Sequence, residues 1–304
     1  MKKISFYLLL FLAYVLPLKF LSAQSPKPVQ SPMIDTKDVG EIKGASGIYL
    51  HKDILYVIPE RCGEIIQLNT SGIKKAPPIT LKEMPSSIKT LEGITIINDH
   101  FFLIDEDRPR VYKFKMDGKY VDQYSFNAIN LDADANDGFE GIAYNQDKNL
   151  LYVLHERAKL NSKYQAVIYT LEFNEKLAVF KTVNTILIPL EKGLFRYSDI
   201  CFKNNHLKAI KSRKDEYYIY DIDIDSNGIP QLEPHYSRTD LTKFVSDAIE
   251  YNEKKDSKAN RMYSTNLEGI TLDEKNNIYL ISDNMDGGTC DETVKKQTML
   301  LRLK

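Results

Sequence analysis

Net charge is almost absent from this sequence: 41 Lys and Arg stand against 42 Asp and Glu, a formal charge of −1. That balance gives no electrostatic reason to expect a nucleic acid as partner. Nucleophile motifs are missing as well. There is no Gly-x-Ser-x-Gly, no His-Glu-x-x-His and no phosphate loop, so serine-hydrolase, zinc-protease and P-loop chemistry are not indicated. Long hydrophobic runs are confined to one place. After Lys2-Lys3, the stretch Phe6 to Leu21 is almost wholly apolar and ends in Ser22-Ala23-Gln24. This reads as a signal peptide over residues 1–23, cut after Ala23, which predicts an exported (periplasmic or secreted) chain with no membrane span after cleavage. No Cys follows the apolar run, so a lipid anchor of the bacterial lipoprotein kind is not expected. Residues 24–34 read as a flexible lead-in.

What is present is a repeat. Ala45-Ser46-Gly47-Ile48, Leu91-Glu92-Gly93-Ile94, Phe139-Glu140-Gly141-Ile142, Tyr197-Ser198-Asp199-Ile200 and Leu267-Glu268-Gly269-Ile270 are one motif written five times. The spacings of 46, 48, 58 and 70 residues are those of propeller blades with insertions in the later units. A second apolar run follows each motif, as in Leu55 to Ile58, Phe101 to Ile104, Leu151 to Leu154, Leu207 to Ile210 and Ile278 to Ile281. Short β-branched and aromatic runs bounded by Asn, Asp, Lys and Gly predict antiparallel strands. Asp117-Gly118 between Val111 to Met116 and Lys119 to Phe126 is a strong hairpin signal. No polar linker separates the units. The expectation is an all-β chain with a single five-bladed β-propeller over residues 35–304, or six blades if the long unit after Ser198 hides another sheet. The last unit ends at Met299 to Leu303, its third strand, so Asp35 to Ile42 is expected to supply the fourth and close the ring.

In a propeller the first strand of each blade lies innermost. Ser46, Glu92, Glu140, Ser198 and Glu268 should therefore ring the mouth of the central channel. Converging carboxylates resist burial unless protons or a cation relieve them. Oxygen-only ligands suit a hard, geometrically tolerant ion, so Ca²⁺ is the expected occupant. A second register lies nearby, at the ends of the second runs: Glu60-Arg61, Glu106-Asp107-Arg108, Glu156-Arg157, Ser212-Arg213 and Asp283-Asn284. Glu106, Glu156 and Asp283 are the candidate catalytic acids and bases. Arg61, Arg108, Arg157 and Arg213, with Glu60, are the candidate substrate-binding residues, because guanidinium grips carboxylate and phosphate in two-pronged fashion. The alternative for each Glu-Arg pair is a surface salt bridge between blades.

The long connections 127–138, 186–197, 230–267 and 284–296 lie on the motif side, and the short turns lie opposite. Within 230–267, Asp240 to Ile249 has helical spacing after a Thr239 or Asp240 cap and could form a lid. Asp223 to Gly228 starts like an EF-hand loop, but Pro234 stands at position twelve, so a hairpin turn is favoured. The acidic string Asp132 to Asp137 leads into Glu140 and is a further candidate for metal or substrate contact. Of the cysteines, Cys62 and Cys290 follow second strands of blades that adjoin in a closed ring, so a disulfide between them is expected. Cys201 lies inside an inner strand and is expected as a buried thiol.

The repeated Glu-Gly-Ile, followed by a strand ending in an acid and Arg, resembles the propeller families called esterase-like activity of phytase and SdiA-regulated. The order Ser, Glu, Glu, Ser, Glu is similar to the central calcium site of the five-bladed calcium-activated nucleotidases (apyrases). By position, that resemblance implies Ser46, Glu92, Glu140, Ser198 and Glu268 as metal ligands, although the surrounding apyrase signatures are not evident. The expected function is a metal-dependent hydrolase of a phosphate ester or other anionic substrate, and the chain is expected to be a monomer. The rival is a non-catalytic binding propeller with structural calcium, recognising a glycan, peptide or surface partner.

Overall fold

Each of the five units forms one four-stranded antiparallel sheet in a computed structural model that describes residues 33–34, 37–130, 137–174, 177–190, 195–213, 215–231, 236–255, 262–284, 290, 293 and 296–303. The signal-peptide segment, and the acidic string up to Asn136, lie outside the described residues. Blade 1 comprises Ala45–His51, Ile54–Pro59, Glu64–Asn69 and Ile79–Thr80, and blade 2 comprises Leu91–Ile97, His100–Asp105, Arg110–Lys115 and Tyr120–Ser125. Blade 3 comprises Phe139–Asn145, Leu150–Leu160, Lys163–Asn174 and Val179–Pro189. Blade 4 comprises Arg196–Lys203, His206–Arg213, Glu216–Asp223 and Tyr236–Asp240. Blade 5 comprises Asn266–Leu272, Ile278–Asp283 and Leu300–Leu303, completed by Met33–Ile34 from the amino end.

The tight turns explain why the first two strands of a blade lie side by side. Lys52 and Asp53, Asn98 and Asp99, and Asn204 and Asn205 all have positive φ, between 48° and 61°. Two consecutive left-handed residues make the turn whose twist matches a hairpin, and Asn and Asp tolerate that conformation. The Asp223–Gly228 string is likewise a turn: the Asp225 carboxylate accepts the amides of Asn227 and Ile229, both at 2.8 Å.

Burial follows the seams between blades. Tyr56, Leu91, Phe101 and Tyr112 pack between blades 1 and 2. Phe126, Phe139, Val153 and Tyr169 fill the next seam. Tyr152, Ile168, Tyr197 and Leu207 fill the one between blades 3 and 4. The inner strand of each blade packs against both neighbouring inner strands, and the fifth returns to the first. Five blades therefore close the ring. Among the described residues the long fourth unit holds no sixth blade; its extra length includes the helix Thr242–Lys255. Asp240 caps that helix by accepting the Thr242 amide at 2.8 Å. Leu241, Val245 and Ala248 are buried against Tyr217, Ile219 and Leu267, so the segment is anchored in the seam between blades 4 and 5 and is not a lid.

Closure differs from the expectation in one respect. Met33 and Ile34 pair with Leu301 and Leu300, whereas Lys37–Gly40, inside the segment expected to be that strand, is a short helical turn. Lys-Asp-Val-Gly lacks apolar alternation, and its Val39, with Ile42, is buried in the seam between blades 5 and 1. The same seam carries a disulfide between Cys62 and Cys290, with Cα atoms 5.1 Å apart. Lys43 donates to the Cys290 carbonyl at 2.9 Å, and Asn284 bonds both the Gly44 amide and the Ile42 carbonyl. Cys201 is a buried free thiol.

Candidate functional site

All five motif residues occupy the same irregularity. Strand pairing slips between Ala45 and Gly47, Leu91 and Gly93, Phe139 and Gly141, Tyr197 and Asp199, and Leu267 and Gly269. The residue skipped each time is the motif Ser or Glu. A bulge leaves its extra residue outside the ladder and re-aims the side chain. Ser46, Glu92, Glu140, Ser198 and Glu268 are all buried there. The motif glycine lets the blades meet closely: a Cβ on Gly47 would stand 2.5 Å from the Glu92 carbonyl. Blade 4 has Asp199 in that place. Its carboxylate accepts the Ile200 amide at 2.7 Å and, across the seam, the Ile270 amide at 2.8 Å.

The ring glutamates feel one another. Burial first, then neighbouring carboxylates, push Glu92 and Glu140 well above the usual carboxylate range, with Glu268 acting on both. Glu268 itself is pushed up to about 8 by burial, although Arg196 opposes the shift. Its Oε2 is buried without a hydrogen-bond partner among the described residues.

The second register lies beside this ring because the backbone ties it there. The Glu60 carbonyl accepts the Leu91 amide at 2.8 Å, and the Glu106 carbonyl accepts the Phe139 amide at 3.0 Å. Burial raises both carboxyls, and for Glu60 the nearby Asp283 and Glu106 add to the shift against Arg61. Glu156 sits at a bulge in Leu150–Leu160 and is raised by burial to about 7, with Arg196 opposing. Asp283 is buried and faces Asn266 at 3.5 Å.

Arg196 was not singled out by the sequence, and it organises the site. One guanidinium nitrogen donates to Glu156 Oε2 at 2.9 Å; the other donates to Asn266 Oδ1 at 2.9 Å and to Glu268 Oε1. Its side chain is 24% exposed, against 2% for Glu156 and 8% for Glu268, so the arginine is the member open to solvent. A signal existed. The residues two before the five motif positions are Gly44, Thr90, Gly138, Arg196 and Asn266, and Arg is the odd one.

The expected arginine clamps are mostly engaged within the molecule. Arg157 holds Asp137 through two bonds of 3.0 and 2.6 Å. Arg213 lies over the Phe195 ring at 5.3 Å, and Arg61 pairs with its neighbour Glu60 at 2.9 Å. Arg108 is half-buried on the turn after Glu106. His155 packs edge-on against Phe139, and burial lowers it to about 4. A cavity of about 230 Å³, lined by Phe126, Asn174, Leu177 and Phe180, lies on the outer strands of blades 2 and 3, away from this chemistry.

The donor chemistry suits Ca²⁺, but the placement does not form a cage for it. Among the described residues, no group of three or more His, Cys, Asp or Glu side chains is positioned to hold a metal ion. Ser198 donates its hydroxyl hydrogen to the Leu267 carbonyl at 2.7 Å, a bond that leaves the oxygen lone pairs uncommitted. The positive charge between Glu156 and Glu268 is the Arg196 guanidinium.

These features define a five-bladed propeller with a buried acidic ring bridged by one arginine. The family model for phytase-like proteins (esterase-like activity of phytase) matches residues 65–284, and the chain belongs to that family. No curated protein matches the chain. Among solved structures, glutaminyl cyclase of Myxococcus xanthus is similar with a TM-score of 0.49 and 12% identity, over 87% of this chain and 94% of that one. The PQQ-bound aldose sugar dehydrogenase of Streptomyces coelicolor gives 0.44 and 9%, over 86% and 94%. Among the described residues, no helix is long and apolar enough to cross a membrane.

Proposed function

We propose that this phytase-like propeller is an exported hydrolase of a small anionic ester, phosphate esters first, with its active site on the motif face. The observation that carries the reading is the Glu156–Arg196–Glu268 bridge. Two carboxyls held at about 7 and about 8 are joined through one partly open guanidinium. A proton donor and a proton acceptor with near-neutral values are what general acid–base catalysis requires at physiological pH. Arg196 would receive the anionic group. The ionised carboxylate would take a proton from the attacking water, and the protonated one would give its proton to the leaving alcohol. Glu106, Glu60 and Asp283 would line the same mouth. Because the ring offers calcium no ready cage, the reading uses the chain's own groups alone.

A phosphatase, nucleotidase and esterase screen, run with and without Ca²⁺, tests this. Activity is expected in one class, and Glu156→Gln should lower kcat by about 100-fold or more. A second reading, the non-catalytic binding propeller for a glycan, peptide or surface partner, is favoured by one observation: Arg61, Arg157 and Arg213 are already paired or stacked at home. No turnover in any class, or turnover indifferent to Glu156→Gln, would decide for the binder.

A further inference from the structure

We infer that Arg196 is the resident cation of the central ring, filling the electrostatic role that the ring's resemblance to calcium sites would give to Ca²⁺. Four observations meet on it. First, the guanidinium reaches members of both registers, Glu268 on the ring and Glu156 beside it, and Asn266 as well. A metal bound to the ring would have to contact Glu268 as well. Second, the arginine belongs to one of the two blades whose motif residue is a serine. Ser198 takes little room at the bulge and turns to the Leu267 carbonyl, which leaves space for a long side chain from two positions earlier. Third, blade 4 is also the one where Asp199 replaces the motif glycine and bridges to Ile270, fixing the strand that carries Arg196 against blade 5. Fourth, the described acids are not gathered in threes around any point that a metal could occupy.

One arginine cannot balance every acid at the mouth. Glu92 and Glu140 make no bond to Arg196 among the contacts described. Removing the cation from a buried carboxylate–guanidinium network is costly, because it leaves uncompensated charge. The inference concerns charge at the ring and holds whether or not the site is catalytic.

The test is Ca²⁺ binding to the intact chain after chelator treatment, by calorimetry, alongside melting temperature with and without 1 mM Ca²⁺, where about 1 mM marks the weak end of calcium sites. Wild type is expected to show no binding tighter than that limit and no shift in Tm. Arg196→Gln, which empties the cation position, should melt lower than wild type and regain part of the loss on adding Ca²⁺. Arg196→Lys should stay indifferent to Ca²⁺. One Ca²⁺ bound by wild type at micromolar concentration, and lost in Glu92→Gln plus Glu268→Gln, overturns the inference. So does an Arg196→Gln variant that melts like wild type with or without Ca²⁺. If Arg196→Gln does not fold, the wild-type titration and the Arg196→Lys melt decide between the two outcomes.

Discussion

The two sides of the ring carry the same motif and solve its charge problem differently. On the side of blades 3 to 5, Glu156 and Glu268 share the Arg196 guanidinium, and Asp199 ties the strands together. On the side of blades 1 and 2, Glu92 lies near Glu60 and Glu106, and Arg61 pairs with Glu60 with its side chain 35% exposed. One side is an ion-pair network; on the other, burial and neighbouring carboxylates push Glu92, Glu60 and Glu106 above the ordinary carboxylate range. The repeat thus fixes where a side chain points, and a single residue outside the repeat decides what chemistry results.

The sharpest way to break that contrast is to remove the arginine. Arg196→Met leaves two buried carboxylates without their partner, and breaking such a pair costs about 3–5 kcal/mol. The loss should be greatest near pH 8 to 9, where Glu156 and Glu268 ionise, and much smaller near pH 5, where both are protonated. Chemical denaturation at the two pH values measures it. An equal loss at both would mean that Arg196 contributes packing and not charge. Reduction of Cys62–Cys290 comes next. It unclasps the seam where Glu60 and Asp283 approach, across a sequence separation of 228 residues, and should cost about 2–4 kcal/mol. Denaturation of Cys62→Ser beside reduced wild type checks this. Asp199→Ala follows: it removes the acceptor for two buried amides and should cost about 1–3 kcal/mol, seen as a lower midpoint in the same assay.

Much of this was legible in the sequence, and the reasons for what was not are physical. The five motif copies, their spacing and their Asn- and Asp-rich turns carry the blade count, because period-2 strands and left-handed turns impose local residue choices. The Cys62–Cys290 pair was readable for the same reason: it follows from which blades adjoin. The closing strand was misplaced because two residues, Met33 and Ile34, make that pairing, too few for a periodic signal. The register of Arg61, Arg157 and Arg213 suggests clamps, but register says nothing of the partners that Glu60, Asp137 and Phe195 supply in space. Arg196 escaped notice because it precedes the most divergent motif copy, Tyr197-Ser198-Asp199-Ile200, and meets Glu268 only through the closed ring.

The smallest effect is also the most discriminating, because it asks whether the two sides differ in the size of their response to pH. Glu92 carries a raised carboxyl, caused first by burial and then by Glu60, Glu106 and Glu268. A raised folded-state value means that folding favours the protonated form. The stability it contributes is therefore present at low pH and is lost as pH climbs above the ordinary carboxylate range towards the folded value. Glu92→Gln keeps the shape and removes that titration, so near pH 8 it should leave stability unchanged or raise it by up to about 1 kcal/mol. Glu268→Gln removes a titration too, but it also strips Arg196 of an acceptor, so near pH 8 it should gain less than Glu92→Gln. Melting curves of both variants from pH 5 to pH 8 read this directly. Wild type should lose stability across that range as Glu156 and Glu268 pass through about 7 and about 8, and Glu268→Gln should flatten part of the slope. Two variants that respond identically would erase the distinction between the two sides of the ring.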